Sequence, residues 1–283
     1  MKTNIQRIFF VLLIIANFAT CGKDKNPVKN EEDDIVVPEG YKLVWNDEFN
    51  GTEIDLTKWE HEVNAQGGGN NELQYYTDRK INSYIEDGKL IIQALKETYT
   101  GPEGTREYTS ARLRTAKKGD WKYGRFEIKA TLPHGQGLWP AIWMLPTDWK
   151  YGGWAASGEI DIMELIGHKP NEVFGTLHYG GEYPNNVHTG KSDTLTTGNF
   201  SENFHVFILE WEEKAFRWYV DDIYYQTQTT WHSDNADYPA PFDQFFHLLL
   251  NVAVGGNWPG KPDNTTVFPQ RMVVDYVRVF KKE

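Results

Sequence analysis

The chain has 283 residues, a length at which an all-β sandwich still forms a single domain. Its formal net charge is −11 at pH 7, and no segment forms the basic patch that nucleic-acid backbones require. These values argue against a nucleic-acid partner and disfavour a strongly anionic polymer as a ligand. Aromatic residues make up 14% and include 11 Trp, a content typical of proteins that stack flat ring faces against ligands.

Residues 1–20 have the pattern of an export signal. Lys2 and Arg7 form a positive flank, and residues 8–16 form an apolar stretch too short for a stable membrane anchor. The single cysteine, Cys21, follows at once; it excludes an intramolecular disulfide, and its setting resembles a bacterial lipoprotein lipobox. We expect an exported lipoprotein, lipidated at Cys21 and held at the outer membrane or cell surface. The alternative is a secreted or periplasmic protein with a spare thiol.

Residues 21–38 are polar and charged, with the acidic run 31–34 and few side chains that could form a core. This composition predicts a flexible tether. The folded domain is expected over residues 39–283.

Strand-like alternation dominates the folded domain, and no segment has a long helical period with caps at both ends. Turn dipeptides separate the segments, and we expect loops at Thr98–Thr109 and His178–Gly198. Short strands without intervening helices predict an all-β antiparallel sandwich. The predicted strands are Lys89–Ala94, Gly124–Ala130, Phe204–Trp211, Phe216–Val220, Phe246–Val254 and Met272–Phe280.

Residues 137–146 combine a strand pattern with two tryptophans. Strand parity puts Trp139 and Trp143 on one face and the aliphatic side chains on the other, so one face packs and the other suits a flat ligand. Trp154 and Trp258 have Gly or Pro neighbours, which places them in loops that extend this aromatic lining. Taken singly, each Trp fits a core position equally well.

The run Gly158–Glu164 puts three carboxylates among apolar neighbours, where charged side chains are rarely found without a function. In a strand, Glu159 and Asp161 share a face, whereas Glu164 falls out of phase. A β-bulge at Ile162–Met163 restores it, and such bulges occur beside active sites. The sequence therefore predicts three acids lining one surface.

Two carboxyl groups that face one cleft are the minimum set of catalytic groups for hydrolysing a glycosidic bond. Asp161, between the pair, is expected to hydrogen-bond Glu159 and to help one of Glu159 and Glu164 stay charged while the other stays protonated. The alternative is a solvated strand face of an ordinary antiparallel sheet, but the surrounding tryptophans favour the site.

Five sequence blocks carry a resemblance to glycoside hydrolase family 16, and within it to the bacterial laminarinases, which cut β-1,3-glucans. The resemblance covers roughly residues 41–280 and implies a β-jelly-roll sandwich with a concave face crossed by a substrate cleft. The blocks are Asn71–Thr77, Gly137–Met144, Gly158–Glu164, Gly175–Tyr179 and Asn251–Gly260.

The resemblance also implies roles for the three acids. Glu159 would be the nucleophile, Glu164 the acid/base, and Asp161 the residue that orients and polarises Glu159. The reaction would then retain the anomeric configuration, with the carboxyl groups of the two glutamates about 5–5.5 Å apart. No cofactor is expected for catalysis, and a monomer acting on a β-glucan polysaccharide is expected.

The resemblance also implies which residues bind the sugar. Most of these residues lie in the five blocks or close to them in the chain. For His178 the alternative is a sheet histidine with ordinary partners, and for Arg112 it is a structural ion pair. The implied sugar-binding residues are Asn71, Arg112, Trp139, Trp143, Trp154, His178 and Trp258.

Many members of the family carry a structural calcium ion, and the matching positions here are Glu48, Gly88 and Asp275. Calcium accepts backbone carbonyls as ligands, so Gly88 is compatible with such a site. The alternative for Asp275 is a polar strand residue. The eight His have no clustered ligand spacing, so a catalytic zinc is not expected.

Other functions on the same sandwich stay open at this point, because fold alone does not fix activity. One is a non-catalytic glucan-binding protein, against which the presence of Glu159 and Glu164 speaks. Another is a hydrolase of mixed-linkage β-1,3/1,4-glucan, agar, carrageenan or xyloglucan. Sulfated galactans would call for a cationic cleft, which an acidic chain does not suggest.

Overall fold

The computed structural model describes residues 35–283, of which Val37–Glu283 form one compact unit. The export signal, Cys21 and residues 22–34 of the tether lie outside the described residues, so those predictions stay predictions. Within the described part, no helix is long and apolar enough to cross a membrane.

The described residues form eighteen strands and one short 3₁₀ turn at Gly67–Gly69. The strands are β1 (Tyr41–Asp47), β2 (Glu60–His61), β3 (Gln74–Tyr76), β4 (Ser83–Glu86), β5 (Lys89–Gly101), β6 (Gly104–Ser110), β7 (Arg112–Arg114), β8 (Asp120–Trp121), β9 (Gly124–Thr131), β10 (Leu138–Pro146), β11 (Glu159–Glu164), β12 (Glu172–Gly180), β13 (Asn186–Thr194), β14 (His205–Glu212), β15 (Ala215–Val220), β16 (Ile223–Gln228), β17 (Phe246–Val254) and β18 (Gln270–Lys282).

The strands form two sheets. The cleft sheet has the order β13-β12-β11-β10-β17-β7-β2, with β8 beside β17. The outer sheet has the order β16-β15-β14-β9-β18-β5-β6-β3, with β1 beside β18 and β4 beside β5. Pairing is antiparallel except between β3 and β6, which are parallel. The predicted all-β antiparallel sandwich is confirmed, as is each of the six predicted strands.

Strand alternation builds the core between the two sheets. On β10, Leu138, Ile142 and Met144 are fully buried, whereas Trp139 and Trp143 on the other face are only partly buried. The parity argument from the sequence is thereby confirmed. Strand β17, next to β10, is buried along its whole length. The cleft sheet therefore has an inner face that packs in the core and an opposite face, carrying Trp139 and Trp143, that lies outside the core.

Two regions expected to be loops are hairpins instead. Thr98–Thr109 belongs to β5, β6 and the turn between them, and most of His178–Gly198 belongs to β12 and β13. Strand β13 cannot be recognised from the sequence, because nearly every side chain along it is exposed. It therefore has no apolar face that would alternate with a polar one.

Candidate active site

Strand β11 carries one extra residue relative to its neighbours. Against β12, Asp161 pairs with Thr176 and Glu164 pairs with Phe174, so three steps on β11 match two on β12. The register against β10 shifts at the same place. This is the bulge predicted from parity, and it returns Glu164 to the face that carries Glu159 and Asp161.

The bulge is supported from behind by the outer sheet. The indole N–H of Trp218, a buried residue on β15, donates a hydrogen bond of 2.9 Å to the backbone carbonyl of Asp161. Gly175 on β12 makes this close approach possible, since a Cβ there would lie 2.5 Å from the Trp218 ring. The hydrogen bond satisfies a buried carbonyl beside the bulge.

The three acids line one cavity of about 640 Å³ on the cleft sheet. Side chains of β10, β11, β17 and β7 form its floor, and loop residues form its walls. The lining residues are Gly68, Gly69, Asn70, Glu72, Arg112, Trp139, Ala141, Trp143, Leu145, Trp149, Trp154, Glu159, Asp161, Glu164, Tyr183, Asn251 and Ala253.

Glu159 accepts a hydrogen bond of 2.8 Å from the indole N–H of Trp154. Burial, and next the negative charge of Asp161, raise the pKa of Glu159 to about 7, while His178 and Trp154 act in the opposite direction. A carboxyl with this pKa is poised to change charge near neutral pH, which is rare outside functional sites.

Glu164 accepts a hydrogen bond of 3.0 Å from the indole N–H of Trp139. Its pKa is raised well above the ordinary value by burial, and next by the charge of Asp161; His178 and Trp139 work against this rise. A carboxyl with a raised pKa can hold a proton near neutral pH and donate it to a leaving group.

His178 lies beside two of the acids. Its Nε2 is 3.3 Å from Asp161 Oδ2 and 3.7 Å from Glu159 Oε1. Burial lowers the pKa of His178, but the adjacent Asp161 and the charges of Glu159 and Glu164 outweigh burial and raise it to about 9. The His178 side chain therefore lies between Asp161 and Glu159, where the sequence predicted a direct hydrogen bond between these two residues.

Comparisons with known proteins identify the family to which this site belongs. The sequence profile of glycosyl hydrolases family 16 matches residues 50–278. The chain belongs to glycoside hydrolase family 16. It is 42% identical to a "Beta-glucanase" of Rhodothermus marinus, over 99% of this chain and 96% of the relative.

Two further relatives support the assignment. The chain is 43% identical to a "Glucan endo-1,3-beta-glucosidase A1" of Niallia circulans, over 86% of this chain but only 38% of that longer protein. The solved laminarinase catalytic domain from Thermotoga maritima superposes with a TM-score of 0.78 at 42% identity, over 87% of this chain and 100% of that domain. These matches confirm the family 16 jelly roll.

Most of the predicted sugar-binding residues come together in the cavity. Trp139, Trp143, Trp154 and Arg112 line it. Trp258 lies at its edge, where its ring packs edge-on against that of Trp139 with a centroid distance of 5.5 Å and stays 40% exposed.

The structure shows the ion pair considered for Arg112 and also places this residue in the cavity lining, while sugar binding by Arg112 stays a prediction. Its guanidinium is ion-paired with Glu62 at 3.2 Å and with Glu72 at 3.8 Å, so the structural ion pair is present. The same guanidinium lies over the ring of Trp143, 5.2 Å from the centroid, inside the cavity. Arg112 therefore helps to hold an aromatic side chain of the cavity lining in place.

Asn71 is not brought into the cavity wall. Its side-chain amide donates to Asn257 Oδ1 at 2.9 Å, which links two loops, while the neighbouring Asn70 and Glu72 line the cavity. Asn71 adopts a left-handed backbone conformation, with φ of +57°, which turns its side chain away from its neighbours' direction.

Sequence reasoning missed several lining residues. Asn251 accepts a hydrogen bond of 2.7 Å from the indole N–H of Trp143, and its place at the start of the block Asn251–Gly260 was an available signal. Trp149 and Tyr183 stand on loops, where only the tertiary structure shows which surface they face.

The two acidic side chains expected to bind calcium are engaged in ion pairs. The Glu48 carboxylate accepts two hydrogen bonds from Arg278, at 2.9 and 2.8 Å, and the Asp275 carboxylate pairs with Lys129 at 2.9 Å. Both acids thus already have cationic partners, and their side chains as they lie do not fit a calcium ion. Structural calcium stays a prediction from the sequence.

Proposed function

We propose that this protein cuts internal β-1,3 linkages of a neutral glucan by a retaining double displacement. The observation that carries the proposal is the bulged strand β11, which puts Glu159 and Glu164 into one cavity, each with an indole N–H donor. Two such carboxylates are what this chemistry needs.

The proposed roles follow from the surroundings of each acid. Glu159, whose pKa Trp154 and His178 keep from rising further, attacks the anomeric carbon in its charged form and forms a glycosyl–enzyme ester. Glu164, protonated because burial and Asp161 raise its pKa, gives its proton to the departing oxygen. Glu164 then takes a proton from water, which hydrolyses the ester. No step requires a cofactor.

Charge and aromatic lining support a neutral glucan as the substrate. Among the described residues that line the cavity, Glu72, Glu159, Asp161 and Glu164 are acidic and only Arg112 is basic. This balance disfavours a sulfated galactan, because sulfate groups would meet carboxylates. Indole faces suit the C–H faces of pyranose rings. The similarity to the glucan endo-1,3-beta-glucosidase of Niallia circulans and to the laminarinase of Thermotoga maritima supports a β-1,3-linked glucan.

The test is a product profile on laminarin, lichenan, agarose and xyloglucan, with NMR of the first-formed anomer. We expect laminarin to be cut to oligosaccharides of the retained configuration. Faster cutting of lichenan would assign the mixed-linkage alternative, and initial inversion would refute the mechanism. A non-catalytic binding protein would bind laminarin without turnover in wild type, Glu159→Gln and Glu164→Gln alike.

We also propose that the protein is exported and lipid-anchored through Cys21. The support is the sequence pattern of residues 1–21 alone. Mass spectrometry of the mature N-terminus tests it: an acylated Cys21 at position one is expected, and an unacylated N-terminus elsewhere would refute the anchor.

A further inference from the structure

Two partly exposed aromatic side chains line the catalytic cavity without a function assigned to them. Trp149 stands on the loop between β10 and β11 and is 39% exposed; Tyr183 stands on the turn between β12 and β13 and is 75% exposed. A single exposed aromatic residue needs no explanation. Two that converge on one cavity from separate loops indicate a built surface.

The two loops are fastened to one another. The backbone N–H of Tyr183 donates to the carbonyl of Trp154 at 3.0 Å, and the backbone N–H of Gly153 donates to Glu182 Oε1 at 2.6 Å. Trp154 in turn donates its indole N–H to Glu159. The aromatic pair is thus held in a fixed position relative to the proposed nucleophile, which keeps the entropic cost of binding a ligand low.

The loop that carries Trp149 is also anchored to the body of the domain. The backbone N–H of Lys150 donates to Gln244 Oε1 at 3.1 Å, and the carbonyl of Tyr151 accepts from Asn235 Nδ2 at 2.6 Å. Trp149 itself is 39% exposed and lies at the cavity wall. An ordered loop that exposes its aromatic residue to a sugar-sized cavity is suited to stacking on a pyranose ring.

We infer that Trp149 and Tyr183 form an additional subsite that stacks on glucosyl units remote from the cleaved bond and makes the enzyme favour long β-1,3-glucan chains over short ones. The inference rests on the proposed function. Stacking on remote sugars contributes binding energy without touching the reacting atoms, so it acts on KM for long chains.

The experiment compares kcat and KM of Trp149→Ala and Tyr183→Ala on laminarin and on an aryl β-laminaribioside, a substrate with two glucosyl units. On laminarin, kcat/KM should fall roughly 2- to 12-fold in each variant, through KM, since an aromatic contact is worth about 0.5–1.5 kcal/mol. On the bioside the loss should stay below about twofold.

Two controls make the result specific. Tyr183→Phe should keep the laminarin activity, because the ring and not the hydroxyl makes the contact. Tyr224→Ala, which removes a tyrosine of 54% exposure on β16 of the outer sheet, should match wild type on both substrates. Equal losses on both substrates, or no loss on laminarin, would overturn the inference. Wild-type inactivity on both substrates would instead remove the proposed function itself.

Discussion

At the scale of single residues, the site contains two chemically identical carboxyl groups, those of Glu159 and Glu164, whose surroundings set the pKa of each. Each glutamate receives one indole N–H, from Trp154 or from Trp139, and both feel opposing charges from Asp161 and His178. Hydrogen bonds to a carboxylate favour its charged form, and burial favours its neutral form. In the proposed mechanism, the balance of these effects at each residue decides which carboxyl attacks and which donates a proton.

Removing each indole donor should shift a different limb of the pH profile. Trp154→Phe takes a hydrogen bond from Glu159, so its pKa rises and the acidic limb of kcat/KM on laminarin moves to higher pH. Trp139→Phe does the same to Glu164, so the basic limb moves to higher pH. Profiles from pH 4 to 10 measure both. If the two variants shifted the same limb, the assignment of nucleophile and acid would fail.

His178 should act on both glutamates. Its positive charge lowers the pKa of each, so His178→Gln is expected to move both limbs of the profile to higher pH and to reduce kcat/KM at pH 6. His188→Gln is the matched control. His188 is exposed on the edge strand β13, and its ring lies beside that of His178, with a centroid distance of 5.5 Å. An unshifted profile in the His178 variant would show that its charge does not reach the catalytic pair.

At the scale of elements, the decisive feature is the β11 bulge and its support by Trp218. Without one extra residue between Asp161 and Glu164, the two glutamates would face opposite sides of the sheet. The carbonyl of Asp161 would be buried without the Trp218 donor. An unsatisfied buried carbonyl costs about 1–3 kcal/mol, enough to let the bulge relax.

Two buried tryptophans of the outer sheet allow a paired test of this support. Trp218→Phe removes the donor to Asp161, whereas Trp211→Phe removes an indole whose N–H has no partner among the described residues. Both rings stack on Phe216, so the packing losses are comparable. We expect Trp218→Phe to lower the melting temperature more than Trp211→Phe, because it leaves the Asp161 carbonyl without a donor. The loss of kcat should be about tenfold larger for Trp218→Phe, since one misplaced carboxyl disturbs catalysis. Equal kcat in both variants would contradict the claim.

The elements of the active site were predictable from sequence to the extent that strand parity governs them. Parity demanded the bulge and put Trp139 and Trp143 on the cleft face, and the structure agrees. Parity says nothing about loops, so Trp149 and Tyr183 were missed. It also fails for β13, whose exposed polar residues carry no pattern.

At the scale of the whole molecule, the sandwich form was predictable but its strand order was not. Alternation reports which side chains are buried, whereas the pairing of β10 with β17, distant in the chain, depends on the global topology. That pairing brings Asn251 under Trp143 and completes the floor of the cavity.

The buried acids should cost the whole domain stability at neutral pH. The pKa of Glu159 is raised from 4.5 to about 7, so the native state keeps a proton that the unfolded chain has lost between these values. Stability therefore falls as pH rises through this window. Glu159→Gln should remove the fall and stabilise the protein at pH 8 on the order of 2 kcal/mol.

Melting curves from pH 4 to 9 measure this effect. Glu53→Gln, at an exposed acid that pairs with Lys80, is the surface control and should follow the wild-type curve at high pH. A Glu159→Gln variant that is no more stable than wild type at pH 8 would show that the site is not strained by its buried charge.

The most direct measurement of the central claim is covalent trapping of the nucleophile. Wild-type protein is incubated with a 2-deoxy-2-fluoro-β-laminaribiosyl fluoride, which slows hydrolysis of a glycosyl–enzyme ester, and the labelled peptide is sequenced by mass spectrometry. The proposed mechanism predicts a single label on Glu159, and none in Glu159→Gln. A label on Glu164 or Asp161, or laminarin turnover without any trapped ester, would contradict the account.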